Sequence, residues 1–172
     1  DGTETITIQK TDGSNSVTEF DKNGNIKTEV TVTNEAISAA EDKKETITLP
    51  MPSLPLAYNK ETAPVVNIAL PEGTSAKVEI PVEYVTKGTV AVIINADGSE
   101  EVVKTTLLTE NGIAFKLSQG QSVKIVDNSK AFDDVAENHW GADAVHFASS
   151  RELFVGMSEK TFAPNEYMTR AM

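Results

Sequence analysis

The sequence predicts a mainly β protein of α+β type: an antiparallel β-sandwich or open barrel with one helix, followed by a small helical C-terminal fragment. Three observations predict it. Short stretches of alternating β-branched residues recur between turn signals up to about residue 127. Aromatic residues make up only 6% of the chain against 39% hydrophobic residues, so the core leans on Val, Ile, Thr and Leu, which suit strands. Beyond residue 130 the apolar spacing changes from period two to a helical one.

Residues 1–33 read as a three-strand meander. Asp1-Gly2, Asp12-Gly13 and Asn23-Gly24 recur every eleven residues. Asp-Gly and Asn-Gly suit type I′ turns, where both central residues take positive φ. Ile6 and Ile8 alternate in the first strand, and Ile26, Val30 and Val32 in the third; the middle strand, around Val17 to Phe20, is weakly apolar. The spacing is that of the last part of a longer repetitive stalk, or a chance recurrence in an ordinary sheet.

Residues 34–130 form a second, β-rich unit with the single helix. Asn34 is placed to cap that helix, Glu35 sits in its first turn, and Lys43 and Lys44 close it, which complements the dipole. Ile37, Ala40 and Ala36 form its narrow apolar face. A short strand follows at 46–49. Pro50, Pro52 and Pro55 then remove ladder donors, so residues 50–63 read as a surface crossing with half-buried Leu49, Met51, Leu54 and Leu56. Alternation resumes at Val66, Ile68 and Leu70, and again at Val78, Ile80 and Val82 after the Pro71-Glu72-Gly73 turn. It continues at Val90, Val92 and Ile94, then through Asp97-Gly98 into residues 101–106. Asn111-Gly112 turns into Ile113, Phe115 and Leu117, and Val123 and Ile125 end the run.

Residues 131–172 form a third unit. Trp140, Ala144 and Phe147 fall at i, i+4 and i+7, with Val145 and Ala148 beside them, which predicts a helix of about three turns capped by Asn138.

The order of residues in this last unit resembles the S-layer homology family. It reads Phe132-Asp133-Asp134-Val135, then Trp140, Gly156, Phe162-Ala163-Pro164-Asn165 and Thr169-Arg170-Ala171-Met172. In the family pattern a Glu closes the capping box three residues after the Thr; Met172 stands there instead, and the reciprocal bond is lost. The resemblance implies a non-catalytic, extracellular, wall-anchoring role, with secondary cell-wall polysaccharide as ligand and further modules of the same chain as partners. Three ligand-binding residues follow from it. Arg170 would supply a fork of donors to an anionic sugar, or a salt bridge on the helix surface. Trp140 would supply a flat apolar face, or anchor the unit's own core. Gly156 would let backbone approach the polymer, or serve only as a turn. A second likeness, across residues 78–82, 96–104 and 123–130, is to the β-rich segment that precedes such modules in surface proteins of anaerobic Gram-positive bacteria.

Two other roles stay open at this point. The β-rich part reads first as a spacer and, as the alternative, as a carbohydrate- or host-binding adhesin domain displayed by the anchor, with Tyr58 and Tyr84 its only tyrosines. It also reads as an accessory domain of a surface hydrolase.

Composition narrows the remaining classes. A net charge of −11 would be repelled by nucleic acid and by anionic membrane. With no cysteine, disulfides, thiolate-held zinc and thiol catalysis are excluded. No apolar run is long enough for membrane insertion. His139, His146 and Asp143 have helical spacing but are too few to predict a metal site. Asp133 and Asp134 suit turns and caps, with calcium as the alternative. No nucleophile elbow or phosphate loop is present, so neither enzyme activity nor a cofactor is expected. The chain opens without Met and stops at Met172 near a helix start, and reads as a piece of a longer protein.

Overall fold

The computed structural model describes residues 2–95 and 97–167. It is mostly β, with two mixed sheets and two helices. The meander forms first: β1 (Glu4–Gln9), β2 (Asn15–Phe20) and β3 (Ile26–Thr31) pair in antiparallel order. Its turns differ from the type I′ expectation. Gly13 N donates to Lys10 O and Lys10 N to Ser14 O, and the same pair of bonds recurs between Asp21, Gly24 and Asn25. Gly13 and Gly24 stand at φ +82, whereas Asp12 and Asn23 are not among the residues with positive φ. The loops are therefore three-residue turns with one left-handed glycine, a bulge geometry that needs only one positive φ. Asp21 stabilises its loop further by accepting from Asn23 N and Asn25 N.

α1 (Asn34–Lys43) is capped by Thr33, whose hydroxyl accepts from Ala36 N, and not by Asn34. Thr33 has the extended backbone an N-cap requires, while Asn34 is already helical. The helix buries Ala36 and Ile37 and ends at Lys44, which takes the left-handed conformation.

From α1 the chain crosses to a second sheet at β4 (Ile47–Thr48) and returns at β5 (Val65–Ala69). That excursion makes β5 parallel to β3, since a crossover containing a helix brings the chain back in its original direction. β4 also lies parallel to β6 (Ser75–Pro81), the chain passing through β5 of the other sheet between them. The purely antiparallel expectation is thus corrected to two mixed sheets. The remaining strands are β7 (Thr89–Ile94), β8 (Glu100–Val102), β9 (Leu107–Leu108), β10 (Gly112–Ser118) and β11 (Gln121–Asp127). The seven-stranded sheet runs β1-β2-β3-β5-β11-β7-β8, and the four-stranded sheet β4-β6-β10-β9.

Both sheets supply one apolar cluster: Val30, Val66, Ile68, Val123 and Ile125 from one, and Val78, Ile80, Ile113, Phe115 and Leu117 from the other. The proline-rich stretch joins it and is not a surface crossing. Leu49, Met51, Leu54 and Leu56 are all buried, each burial worth roughly 1.5–3 kcal/mol. Leu54 bridges to Val82, and Ala57 to Val126, so the stretch spans from one sheet to the other. Its prolines leave these bridging donors free: Leu54 N donates to Pro81 O, and Asp127 N to Ala57 O. At Gly112, where β10 begins, a Cβ would lie 2.1 Å from Ile80 O, so only glycine permits the approach to β6.

Candidate functional site

The C-terminal unit builds a small core of its own from Phe132, Val135, Ala142 and Val145, with Phe162 packed against it. The Phe132 and Phe162 rings meet at 5.2 Å between centroids. α2 (Ala142–Ser150) is its only helix among the described residues; the rest, to residue 167, is turns and loops. The expected helical fragment is to that extent corrected. Helix α2 starts after Gly141 with no side-chain cap, so Asn138 does not cap it. Its buried face carries Ala142, Val145, Ser149 and Ser150, not the expected Trp140, Ala144 and Phe147 stripe. Trp140 sits in the turn ahead of the helix and Ala144 faces solvent.

Asp134 holds the loop that follows. Its Oδ1 accepts from Phe162 N at 2.8 Å and its Oδ2 from Ala163 N at 2.6 Å. The Phe162 bond is the main cause that keeps this carboxyl below its usual range. Asp133 N donates to Lys160 O, fastening the other side of the loop. Gly156 makes the sharp turn at φ +80, where a Cβ would meet Thr161 O at 2.8 Å and Phe132 Cε1 at 3.0 Å. Met157 N and Ser158 N both donate to Thr161 O.

The sequence-predicted residues are not gathered into one site. Trp140 is 92% exposed and cannot anchor the core; its ring lies 5.6 Å from that of His139. Gly156 is walled by its own turn and by Phe132. Arg170 lies outside the described residues. His139 precedes α2 and its Nδ1 accepts from Gly141 N, so His139 and His146 do not share a helix face. Asp143 instead pairs with exposed Lys87 at 3.6 Å. Among the described residues no cluster of three or more His, Asp or Glu could hold a metal ion. None of their helices is long and apolar enough to cross a membrane. Beside the Gly156 turn lies a cavity of ≈ 520 Å³ lined by Leu153, Phe154, Val155, Met157, Phe162 and Pro164.

Sequence reasoning passed over Arg151, the largest fully buried side chain among the described residues. It closes α2 and reaches into the β-rich part. Its Nε donates to Thr106 O at 2.8 Å, one terminal nitrogen to Lys87 O at 3.0 Å and the other to Thr89 O at 3.3 Å. The first terminal nitrogen also donates to Phe147 O at 3.2 Å, and the guanidinium carbon lies 3.6 Å from the centre of the Phe147 ring. Burial lowers its pKa to about 10, which leaves it charged at neutral pH. Asn128 adds a bond to Ser150 O at 2.6 Å. Nothing in the sequence marks it out, since Ser149-Ser150-Arg151 reads as the polar end of a helix.

Residues 131–171 match the S-layer homology domain. The chain is also 33% identical over 76 residues to Cell surface glycoprotein 1 of Acetivibrio thermocellus, which covers 44% of this chain and 3% of that protein. The chain therefore spans a small fraction of that relative's length. No solved structure matches it. The two matches together indicate a cell-surface, wall-anchored location. In the unit that matches the S-layer homology domain, the Asp134 clasp and the Gly156 turn shape the loop, and Arg151 fastens the unit to the β-rich part.

Proposed function

We propose that this chain is a non-catalytic piece of a surface protein in which a β-rich spacer holds a wall-polymer-binding S-layer homology unit. The observation that carries this reading is the S-layer homology match at residues 131–171. Such domains bind secondary cell-wall polymers, and that polymer is the proposed ligand of the whole protein, shared with further modules of the same kind. The Arg151 contacts support the spacer role, because force applied at the anchor would pass through buried hydrogen bonds and not through a loose linker. The shared core of the two sheets supports a sandwich-like spacer.

Within the unit, Trp140 is the proposed sugar contact. A nearly fully exposed indole contributes little to folding and is placed to stack on a pyranose ring. Arg170 keeps its proposed role as the donor fork for an anionic substituent. Gly156 is better read as a turn residue, given the atoms crowding its Cα.

The test is co-sedimentation of the full-length protein with purified cell-wall sacculi. Retention is expected, reduced by W140A and R170A with folding unchanged. A folded full-length protein that stays in the supernatant would overturn the anchoring role.

One observation favours a second reading, display of a carbohydrate-binding domain. Tyr58 and Tyr84 are both exposed, and their hydroxyls hydrogen-bond at 2.9 Å. This bond is also the main cause that raises the pKa of Tyr58. A glycan array probed with the whole chain and with a Y58A/Y84A double variant separates the readings: binding lost in the variant supports display, and no binding removes it.

A further inference from the structure

The three glycines of the meander share a backbone state as well as a spacing. Gly2, Gly13 and Gly24 stand at φ +76, +82 and +82. Gly13 lies two residues ahead of β2 and Gly24 two residues ahead of β3, each closing the hairpin that leads into its strand. Gly2 lies two residues ahead of β1 in the same way. The pairing register repeats too. Glu4 faces Phe20 across β1 and β2, and Asn15 faces Thr31 across β2 and β3, a shift of eleven residues on each strand. One structural operation thus generates each strand from the one before it, and Gly2 holds the place and backbone state of the loop glycine for another such step.

The edge at β1 is built to be paired. Natural edges are blunted by lysine, proline, bulges or shortness. At the opposite end of the same sheet, β8 follows that rule: it has three residues, two of them glutamate. β1 does not. It runs six residues, Glu-Thr-Ile-Thr-Ile-Gln, with no proline, no lysine and no break in its register. Its inward residues Ile6 and Ile8 are only half-buried, while their partners Thr18 and Ser16 on β2 are fully buried. The covered face of the sheet therefore extends past β1.

We propose that the open edge of β1 receives one further antiparallel strand of this eleven-residue pattern, joined to it through a glycine turn formed at Gly2. Recognition would come from the free backbone groups of β1, and register from the glycine turn and from cover of Ile6 and Ile8.

Placing a second copy of residues 12–22 ahead of residue 1 of the whole chain tests this directly. The copy ends in Asp-Lys and runs into Asp1-Gly2, recreating the order at Asp21-Lys22-Asn23-Gly24 with Asp for Asn. The outward amides of β1 should exchange with deuterium roughly tenfold more slowly or better in the extended chain, and the added unit should itself be protected. Gly2→Val in the extended chain should abolish both effects without changing exchange in β5 or β11. The proposal is overturned if β1 exchanges equally fast with and without the added unit. It is also overturned if the parent chain protects β1 in proportion to its own concentration, since that assigns the edge to a second copy.

Discussion

Nε of Arg151 donates to the carbonyl oxygen of Thr106 at 2.8 Å, across the boundary between the helix-bearing unit and the β-rich part. Among the described residues no carboxylate bonds Arg151; backbone carbonyls of Thr106, Lys87, Thr89 and Phe147 and the Ser150 hydroxyl take its protons. Burying a charge among neutral acceptors is costly, and burial lowers its pKa to about 10. Charge-assisted hydrogen bonds and the Phe147 ring offset that cost. The arrangement holds two units in one orientation, since guanidinium geometry admits few alternatives.

Replacing Arg151 by Met should therefore cost about 2–4 kcal/mol, because it strands several buried carbonyls at once. Urea denaturation followed by circular dichroism gives the magnitude. Hydrogen exchange gives the location: amides of α2 should lose protection while those of β5 and β11 keep theirs. R151K should lose less, retaining the charge but not the fork. Uniform loss of protection throughout the chain would show that Arg151 is not a junction between units.

Asp134 predicts an acid response. Hydrogen bonds from Phe162 N, and then Ala163 N, favour its ionised form and set its folded pKa below the ordinary 3.8. A carboxyl with a depressed folded pKa stabilises the fold above its unfolded value, and that contribution disappears as pH falls through the folded value. The clasp should accordingly contribute in full above the ordinary carboxylate range, weaken as pH falls below it, and open only as pH passes through the depressed folded value. The amide proton shifts of Phe162 and Ala163, followed by NMR, should titrate with a midpoint under 3.8. D134N should remove that step. A midpoint at or above the ordinary value contradicts the clasp.

Gly156→Ala should destabilise the C-terminal unit by about 1–3 kcal/mol, since the residue has left-handed backbone and its Cβ would press on Thr161 O and the Phe132 ring. Thermal unfolding measures the loss. At temperatures where the variant remains folded, its sedimentation with cell wall should match that of the parent. Weakened retention in a fully folded G156A protein would return Gly156 to the ligand site.

The caps give a clean comparison. Thr33→Ala removes the hydroxyl that accepts from Ala36 N and should cost about 1 kcal/mol. Asn34→Ala, one residue later and already helical, should change stability by less than about 0.5 kcal/mol. Equal losses by chemical denaturation would return the cap to Asn34.

Much of the strand pattern was legible because a half-buried strand writes itself as alternation. Val66 and Ile68, Val78 and Ile80, and Ile113, Phe115 and Leu117 all fall on buried faces as their spacing predicts. The helix caps were misread by one position at Thr33, where neighbouring residues are both good caps and only backbone geometry separates them. The C-terminal helix was misread because Trp140 looked like the head of an apolar stripe, although it stands in the preceding turn at 92% exposure. The C-terminal unit was legible as a resemblance to the S-layer homology family. Its geometry was not, since the Asp134 clasp joins residues 28 positions apart.

Local chemistry alone determined the mainly β class, the positions of the left-handed glycines and the first helix. All of these depend on residues near one another in the chain, where spacing and side-chain type are sufficient. Only the tertiary structure decided that β3 and β5 run parallel, that the proline stretch lies in the core, that Tyr58 meets Tyr84, and that Arg151 is buried. Those outcomes depend on which distant surfaces meet. An arginine after two serines reads as a surface residue until the carbonyls of Lys87, Thr89 and Thr106 are seen around it.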